Sequence, residues 1–186
     1  DPDSVALVTL LAANNEVGTI QPVTDVAALA AAHGIPVHVD AISAYGHIPL
    51  DFSALHRAGV SAMSISAHKI GGPKGTGALY IRSDLHGKII PLLHGGGQEQ
   101  GLRSGTEATA QIAGFAKAVE LRADGLADKL AHMAEVKNYC KEKLLSIDGV
   151  VAVGRGEAPH ILMVSLMGYP SANVVTDLGS QGICLS

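Results

Sequence analysis

The sequence is poor in several residue classes, and each shortage narrows the kind of protein it can be. Tryptophan is absent and aromatic residues make up 3% of the 186 residues, so Ala, Val, Leu and Ile must fill any interior. Charged residues make up 16%, the net charge is −4, and no basic run is present, which argues against a nucleic-acid-binding protein. Hydrophobic residues make up 47%, enough for a buried core, so a disordered chain is excluded.

Cysteines and long apolar runs are also scarce. Cys140 and Cys184 form neither a C-x-x-C pair nor a disulfide framework, which favours a reducing compartment and predicts a cytoplasmic location. No segment approaches about 18 apolar residues without a charge or a turn, so no membrane span is predicted. Residues 1–4 run directly into an apolar segment and residues 182–186 end inside one. We therefore expect the chain to be an internal fragment of a longer protein.

Apolar strands alternate with a helical segment in the first half of the sequence. Strands are predicted at residues 5–11, 35–39, 62–66 and 77–81. Between the first two, Val26, Leu29 and Ala30 recur at helical spacing, from Pro22 in the first turn to Gly34. Such alternation indicates right-handed crossovers, and hence an α/β fold with a parallel-rich sheet flanked by helices.

The second half begins with the most helical region of the sequence. Residues 107–146 are long for one globular helix, and Gly125 marks the expected break. Strands are then predicted at 150–153 and 161–166. We place a boundary after this break, so that residues 1–125 form part of one domain and residues 126–186 the start of a smaller α+β domain.

Polar side chains follow three of the predicted strands, where open α/β sheets bind their ligands. Asn14-Asn15-Glu16 follows the first strand and Asp40 ends the second. Asp40 is compatible with a helix cap, a structural ion pair, a metal ligand or a partner for a cationic ring nitrogen. His38 shares its strand face and could complete half a metal site. Since no third and fourth ligand is evident, no metal is predicted.

Lys69 follows the third strand and precedes a glycine-rich loop, residues 71–77. A lysine in this setting can form a Schiff base with an aldehyde, although an ordinary loop lysine is the alternative. The loop matches neither Walker A nor G-x-G-x-x-G, so nucleotide binding has little support. His94-Gly-Gly-Gly97 is similar to the oxyanion loop of some esterases. The nucleophile elbow G-x-S-x-G of those enzymes is absent, so a hydrolase is not predicted.

The segment before the long helical region offers one further anion site. Arg103-Ser104-Gly105-Thr106 can donate N–H and hydroxyl groups to an anion. The alternative is a simple N-cap by Ser104 or Thr106. Each of these signals is weak when it is taken alone, and their order along the chain makes them specific.

Taken in order, the motifs resemble those of the cysteine desulfurase family, which belongs to the class V aminotransferase group of fold type I pyridoxal-phosphate enzymes. The resemblance covers essentially the whole chain. The segments that carry it are Ala13-Asn-Asn-Glu-Val-Gly-Thr19, His38-Val-Asp-Ala41, Ser66-Ala-His-Lys69, Gly72-Pro-Lys-Gly75, Gly77-Ala-Leu-Tyr80, Gly95-Gly-Gly-Gln-Glu99 and Arg103-Ser-Gly-Thr106.

The resemblance implies pyridoxal 5'-phosphate as the cofactor and gives each matching residue a role. Lys69 would hold the cofactor aldehyde and carry protons at the substrate, and Asp40 would pair with the ring nitrogen. These are the two implied catalytic residues. The other cofactor contacts would be Asn15 on the phenolic oxygen, Ser66 and His68 on the phosphate, and Thr106 on the phosphate of the neighbouring subunit.

Two departures from the family pattern affect the expected site. Ser43 stands where the family usually has a glutamine, and its shorter side chain would have to replace that contact. The family's ring-stacking histidine, one phosphate-binding segment, the nucleophilic cysteine and the substrate-binding arginine would all lie outside this chain. Cys184 could be the nucleophile, but a packed strand residue is the favoured interpretation, and Cys140 lies in a helical stretch.

The resemblance implies that the parent protein is a homodimer that converts L-cysteine to L-alanine and an enzyme-bound persulfide. The sulfur would then pass to an acceptor protein for iron–sulfur cluster or thio-cofactor assembly. A selenocysteine lyase, an aminotransferase or another class V enzyme is the alternative. A third hypothesis is a folded fragment without catalysis, because the thiol expected to attack the substrate is missing here.

Overall fold

The computed structural model describes residues 1–186. Six strands are present: β1 (Val8–Leu11), β2 (Val37–Asp40), β3 (Val60–Ser66), β4 (Gly77–Ile81), β5 (Val150–Ala152) and β6 (Val164–Leu166). The α-helices are α1 (Val23–Ala32), α2 (Phe52–Ala58), α3 (Thr109–Ala123), α4 (Leu126–Leu145) and α5 (Ser171–Ser180). Short 3-10 helices cover Pro2–Ser4, Ala67–Ile70, Ser83–Lys88 and Glu99–Gly101.

The first compact unit comprises residues 1–13 and 21–126, and it is built on a four-stranded sheet in the order β1-β2-β3-β4. β1, β2 and β3 are parallel, and β4 returns antiparallel along β3. The predicted parallel-rich α/β sheet is therefore confirmed. The direction of β4 was not anticipated; only a short loop separates it from β3, and a parallel return needs a crossover.

The helix predicted after β1 is present, but its buried face differs from the expected one. Val23, Ala27 and Ala30 are buried, whereas Leu29 is 67% exposed. Small alanines therefore make the contact with the sheet. Pro22 lies at the N-cap position, one residue before the first turn.

Helix α2 was not predicted, because seven residues are too few for a helical period to be recognised. Asp51 caps its first turn, since a carboxylate oxygen accepts the Ala54 N–H at 2.9 Å. Gly59 ends it with a φ of 110°, and its N–H bonds back to the His56 carbonyl. The sequence of α2 therefore contains residues that start and end a helix, but it is too short to show a helical repeat of apolar residues.

The second compact unit comprises residues 14–20 and 127–186. It contains most of α4, the antiparallel pair β5-β6 and α5. The break predicted at Gly125 separates α3 from α4 as expected. The assignment of residues 1–125 and 126–186 to two domains of an enzyme stays a prediction. No helix of the chain combines the length and apolar character needed to cross a membrane.

The strand expected around Cys184 is absent. Residues 183–186 form no strand, and Cys184 is exposed. The Ile183 N–H instead bonds to the Leu178 carbonyl at the end of α5, so this segment is tied back to its helix rather than to a sheet. The interpretation of Cys184 as a packed strand residue was therefore wrong.

We expect Gly59→Ala to lower the free energy of unfolding by about 3 kcal/mol, because an added Cβ meets both backbone strain and a contact with α1. That Cβ would lie 2.7 Å from Ala31 Cβ, at a φ that L-residues rarely adopt. Gly34→Ala is the matched control: its φ is 69°, and no atom lies within 4 Å of the added Cβ. It should cost about 1 kcal/mol in a urea titration. Equal costs would contradict the steric account.

Candidate functional site

Asp40 closes β2 at the carboxyl end of the sheet, where it pairs in register with Leu11 of β1 and Ser64 of β3. It is half-buried, and its Oδ1 accepts the Ile42 N–H at 2.9 Å. Oδ2 has no hydrogen-bond partner, and Asp40 forms no ion pair. The structural ion pair considered above is therefore wrong. One carboxylate oxygen orients the side chain, and the other is available to a cationic group.

The His38 side chain, on β2, contacts side chains of both neighbouring strands, β1 and β3. Its Nδ1 lies 2.9 Å from Thr9 Oγ1 and its Nε2 lies 2.7 Å from Ser64 Oγ. Both ring nitrogens are thus engaged, which leaves neither as a metal ligand. No group of three or more His, Cys, Asp or Glu side chains is gathered closely enough to hold a metal ion.

The segment after β3 carries Ser66, His68 and Lys69. Ser66 Oγ and His68 Nδ1 are 2.6 Å apart, so the hydroxyl and the imidazole form one polar pair. The 3-10 helix Ala67–Ile70 ends at Gly71, whose left-handed φ of 85° turns the chain into the glycine-rich loop. The Lys69 amine is exposed and makes neither a hydrogen bond nor an ion pair.

Helix α3 packs directly on this segment. A Cβ on Gly72 would lie 3.3 Å from Ala118 Cβ, and one on Gly114 would lie 2.8 Å from Pro73 Cγ. Glycines at these positions allow the loop and the helix to approach each other closely. The Lys69 segment is therefore supported from one side by a long helix.

The turn after β2 carries Ser43 and His47. Ser43 is buried, and its hydroxyl makes no hydrogen bond. Arg122 of α3 donates from Nε to the Gly46 carbonyl at 2.5 Å, which ties the turn to that helix. Burial lowers the pKa of His47, and the positive charges of Arg122 and Lys69 lower it further, against the opposing hydrogen bond to the Tyr45 carbonyl. Sequence reasoning missed both His47 and Arg122, because neither lies in a recognisable motif.

Asn15 and Thr106 are both exposed. Asn15 belongs to the second compact unit, at the tip of the turn formed by residues 14–20. Thr106 lies three residues before Thr109, the first residue of α3, and the N-cap position is held by Ala108 without a side-chain bond. Ser104 Oγ donates instead to the Leu93 carbonyl at 2.9 Å. The alternative of an N-cap by Ser104 or Thr106 is therefore wrong.

Residues 2–186 match the family described as Aminotransferase class-V. The chain belongs to this family. A Mycobacterium tuberculosis protein named IscS-like cysteine desulfurase is 46% identical over 153 residues, which are 82% of this chain and 38% of that protein. An Arabidopsis thaliana protein named "Cysteine desulfurase, mitochondrial" is 42% identical over 170 residues, 86% of this chain and 35% of that one. The resemblance predicted from the motifs is thus confirmed.

Solved structures give the same result for the fold of this class V aminotransferase chain. A NifS-like protein has a TM-score of 0.90 at 39% identity, over 98% of this chain and 49% of that one. A NifS-like protein from Rickettsia africae has a TM-score of 0.90 at 30% identity, over 97% of this chain and 49% of that one. The chain therefore spans about half the length of the solved proteins it matches, and less of the two sequence relatives.

The roles of the individual site residues stay predictions. The structure gathers Asp40, Ser66, His68 and Lys69 at or just beyond the carboxyl ends of β2 and β3. Ser43 lies in the turn that follows β2. These five residues are all in the first compact unit.

We expect Lys69→Ala to raise the pKa of His47, because removing a positive charge makes protonation of the imidazole less unfavourable. NMR titration of the imidazole in the 186-residue chain measures this pKa. In the unchanged chain, His47 should protonate below the ordinary histidine value of about 6.5. Lys88→Ala, which removes an exposed lysine outside the predicted cofactor site, is the control. A His47 pKa that does not respond to Lys69→Ala would show that the two side chains are too far apart to interact.

Proposed function

We propose that the protein containing this chain is a pyridoxal-phosphate-dependent cysteine desulfurase. The observation that carries the proposal is the set of groups at the carboxyl end of the sheet: a half-buried carboxylate with one free oxygen, an unengaged amine, and a hydroxyl–imidazole pair. The sequence relatives named above are cysteine desulfurases by name, which favours L-cysteine as substrate.

These groups fit pyridoxal phosphate by their chemistry. A pyridinium nitrogen needs a carboxylate, which Asp40 Oδ2 can supply. An aldehyde needs an amine, which Lys69 supplies, and a phosphate needs donors, which Ser66 and His68 can supply. Half-burial of Asp40 strengthens its preference for a cationic partner, because solvent screens the charge less there.

When bound, pyridoxal phosphate supplies an electron-withdrawing ring that stabilises negative charge at the substrate α-carbon. Asp40 holds a proton at the ring nitrogen through Oδ2 while Ile42 fixes its other oxygen. Lys69 holds the aldehyde carbon and moves protons at the substrate. Ser66 and His68 bind the phosphate, and their mutual hydrogen bond orients both side chains before the anion arrives.

Three further roles belong to this proposal. Asn15 donates to the phenolic oxygen of the cofactor, and Ser43 provides a hydroxyl where the family has a glutamine. Thr106 contacts the phosphate held by a second subunit, so the whole protein is proposed to be a homodimer. A cytoplasmic location and a sulfur-acceptor protein complete the proposal.

The sulfur step requires a thiolate. It attacks the sulfur of L-cysteine, the carbon–sulfur bond breaks, and its electron pair remains on the carbon that is then protonated to give alanine. The product on the protein is a persulfide. Cys140 and Cys184 are both in the second compact unit, exposed and free. We propose that the attacking cysteine lies outside these 186 residues, so the isolated chain is expected to be inactive.

In the whole protein, we expect Lys69→Ala to reduce sulfide release from L-cysteine by at least about 10³-fold, because no second amine takes over its role. The visible absorbance of bound cofactor should be lost as well. Lys88→Ala is the matched lysine control and should keep both properties. If the unchanged protein releases selenide from selenocysteine, or transfers an amino group, faster than it releases sulfide from L-cysteine, the proposal changes to another class V enzyme. Full sulfide release by the Lys69→Ala variant would contradict the proposed function.

We expect Asp40→Asn to reduce turnover on the order of 10²-fold without unfolding the protein. The asparagine oxygen can still accept the Ile42 N–H, so the local turn survives while the negative charge is lost. Circular dichroism and a urea titration check the fold, and sulfide release measures the rate. Asp25→Asn, an exposed change in the first turn of α1, is the control. Normal turnover in Asp40→Asn would make the carboxylate structural.

A further inference from the structure

The turn that carries Asn15 is organised around the neighbouring residue, Asn14. Asn14 Oδ1 accepts the N–H groups of Glu16 and Val17, both at 2.9 Å. Its carbonyl accepts the Gly18 N–H at 3.1 Å, and its own N–H donates to the Thr19 carbonyl at 2.9 Å. Asn15 makes no hydrogen bond of its own. Its side chain is therefore held only as firmly as the turn beneath it.

A loop 137 residues further along the chain, residues 154–161, holds this turn within the second compact unit. The Ala158 N–H donates to the Gly18 carbonyl at 2.8 Å. The Ile20 N–H donates to Glu157 Oε2 at 3.0 Å. Packing is also close, since a Cβ on Gly154 would lie 2.8 Å from Val17 Cβ.

The Glu157 side chain of this loop hydrogen-bonds to the turn. Its Oε1 forms an ion pair with Arg155, whose Nε lies 2.8 Å away, and Oε2 accepts the Ile20 N–H. Its side chain is 33% exposed, whereas that of Arg155 is 80% exposed. A carboxylate fixed at both oxygens gives a charge-assisted bond to a main-chain N–H.

The loop itself is anchored on α4. Lys137 Nζ donates to the carbonyls of Gly156 and Ala158, the residues on either side of Glu157. Burial lowers the pKa of Lys137, the charge of Lys141 adds to this effect, and Glu157 opposes it. The contacts thus run from α4 through Lys137 to the loop, and from Glu157 to the turn.

We infer that Glu157 is a positioning residue for Asn15, and that this role rests on the function proposed above. Its carboxylate fixes the closing end of the turn at Ile20, and the Gln21 N–H fixes the next residue on the Ala12 carbonyl. Without the carboxylate, the Ile20 N–H loses its acceptor and the turn gains freedom. The Asn15 amide then spends less time in the orientation that the phenolic oxygen of the cofactor requires.

The first test measures the turn directly in the 186-residue chain. We expect Glu157→Ala to accelerate hydrogen exchange at the Ile20 amide by at least about tenfold and to shift the Asn15 side-chain amide resonance. Glu157→Gln keeps an oxygen acceptor and should stay close to the unchanged chain. Glu135→Ala, which removes an exposed glutamate of α4, is the matched control. Unchanged Ile20 exchange, or an unchanged Asn15 resonance, in Glu157→Ala would overturn the inference.

The second test is a pyridoxal-phosphate titration of the whole protein. We expect Glu157→Ala to weaken cofactor affinity by about threefold to tenfold, with recovery in Glu157→Gln. Equal affinity in Glu157→Ala and the unchanged protein would also overturn the inference. If the unchanged protein takes up no cofactor, the proposed function fails instead. The exchange experiment then still decides whether Glu157 holds the Asn15 turn.

Discussion

Main-chain hydrogen bonds between neighbouring segments continue one residue beyond the carboxyl ends of the strands, and the candidate site depends on these bonds. The Ala12 N–H donates to the Asp40 carbonyl at 2.8 Å, and the Ala41 N–H donates to the Ser64 carbonyl at 3.0 Å. These bonds fix where each chain leaves its strand. Asp40 can therefore present a carboxylate at the sheet edge while its own backbone remains fully paired.

Small residues make this arrangement possible. Ala12, Ala41 and Ala67 are each no more than 1% exposed, directly at the points where the three parallel strands end. A larger side chain at any of them would push apart the segments that bring polar groups together. The scarcity of aromatic residues in the sequence thus has a local counterpart, because alanines fill the buried positions that directly follow the three parallel strands.

Local signals predicted much of this structure, and non-local contacts account for the rest. Asp40, Ser66 and Lys69 were identifiable as candidates because each ends or closely follows an apolar strand, and the parallel order of those strands places their ends at one edge. Helix α2 was missed because its core contact is made by Leu55 alone, without a repeat. Glu157 could not be found from sequence, since its partner at Ile20 lies 137 residues away and nothing in either segment predicts the pairing.

Helix α3 connects two parts of the candidate site that share no strand. Near its middle, Ala118 packs against the glycine-rich loop that follows Lys69. One turn later, Arg122 bonds the Gly46 carbonyl in the turn that carries Ser43, and a Cβ on Gly46 would lie 2.8 Å from Arg122 Cγ. Because one rigid helix contacts both segments, a shift of the Lys69 loop relative to the Ser43 turn would have to break one contact or the other. The spacing between the Lys69 segment and the Ser43 turn is therefore set by the helix as well as by the sheet.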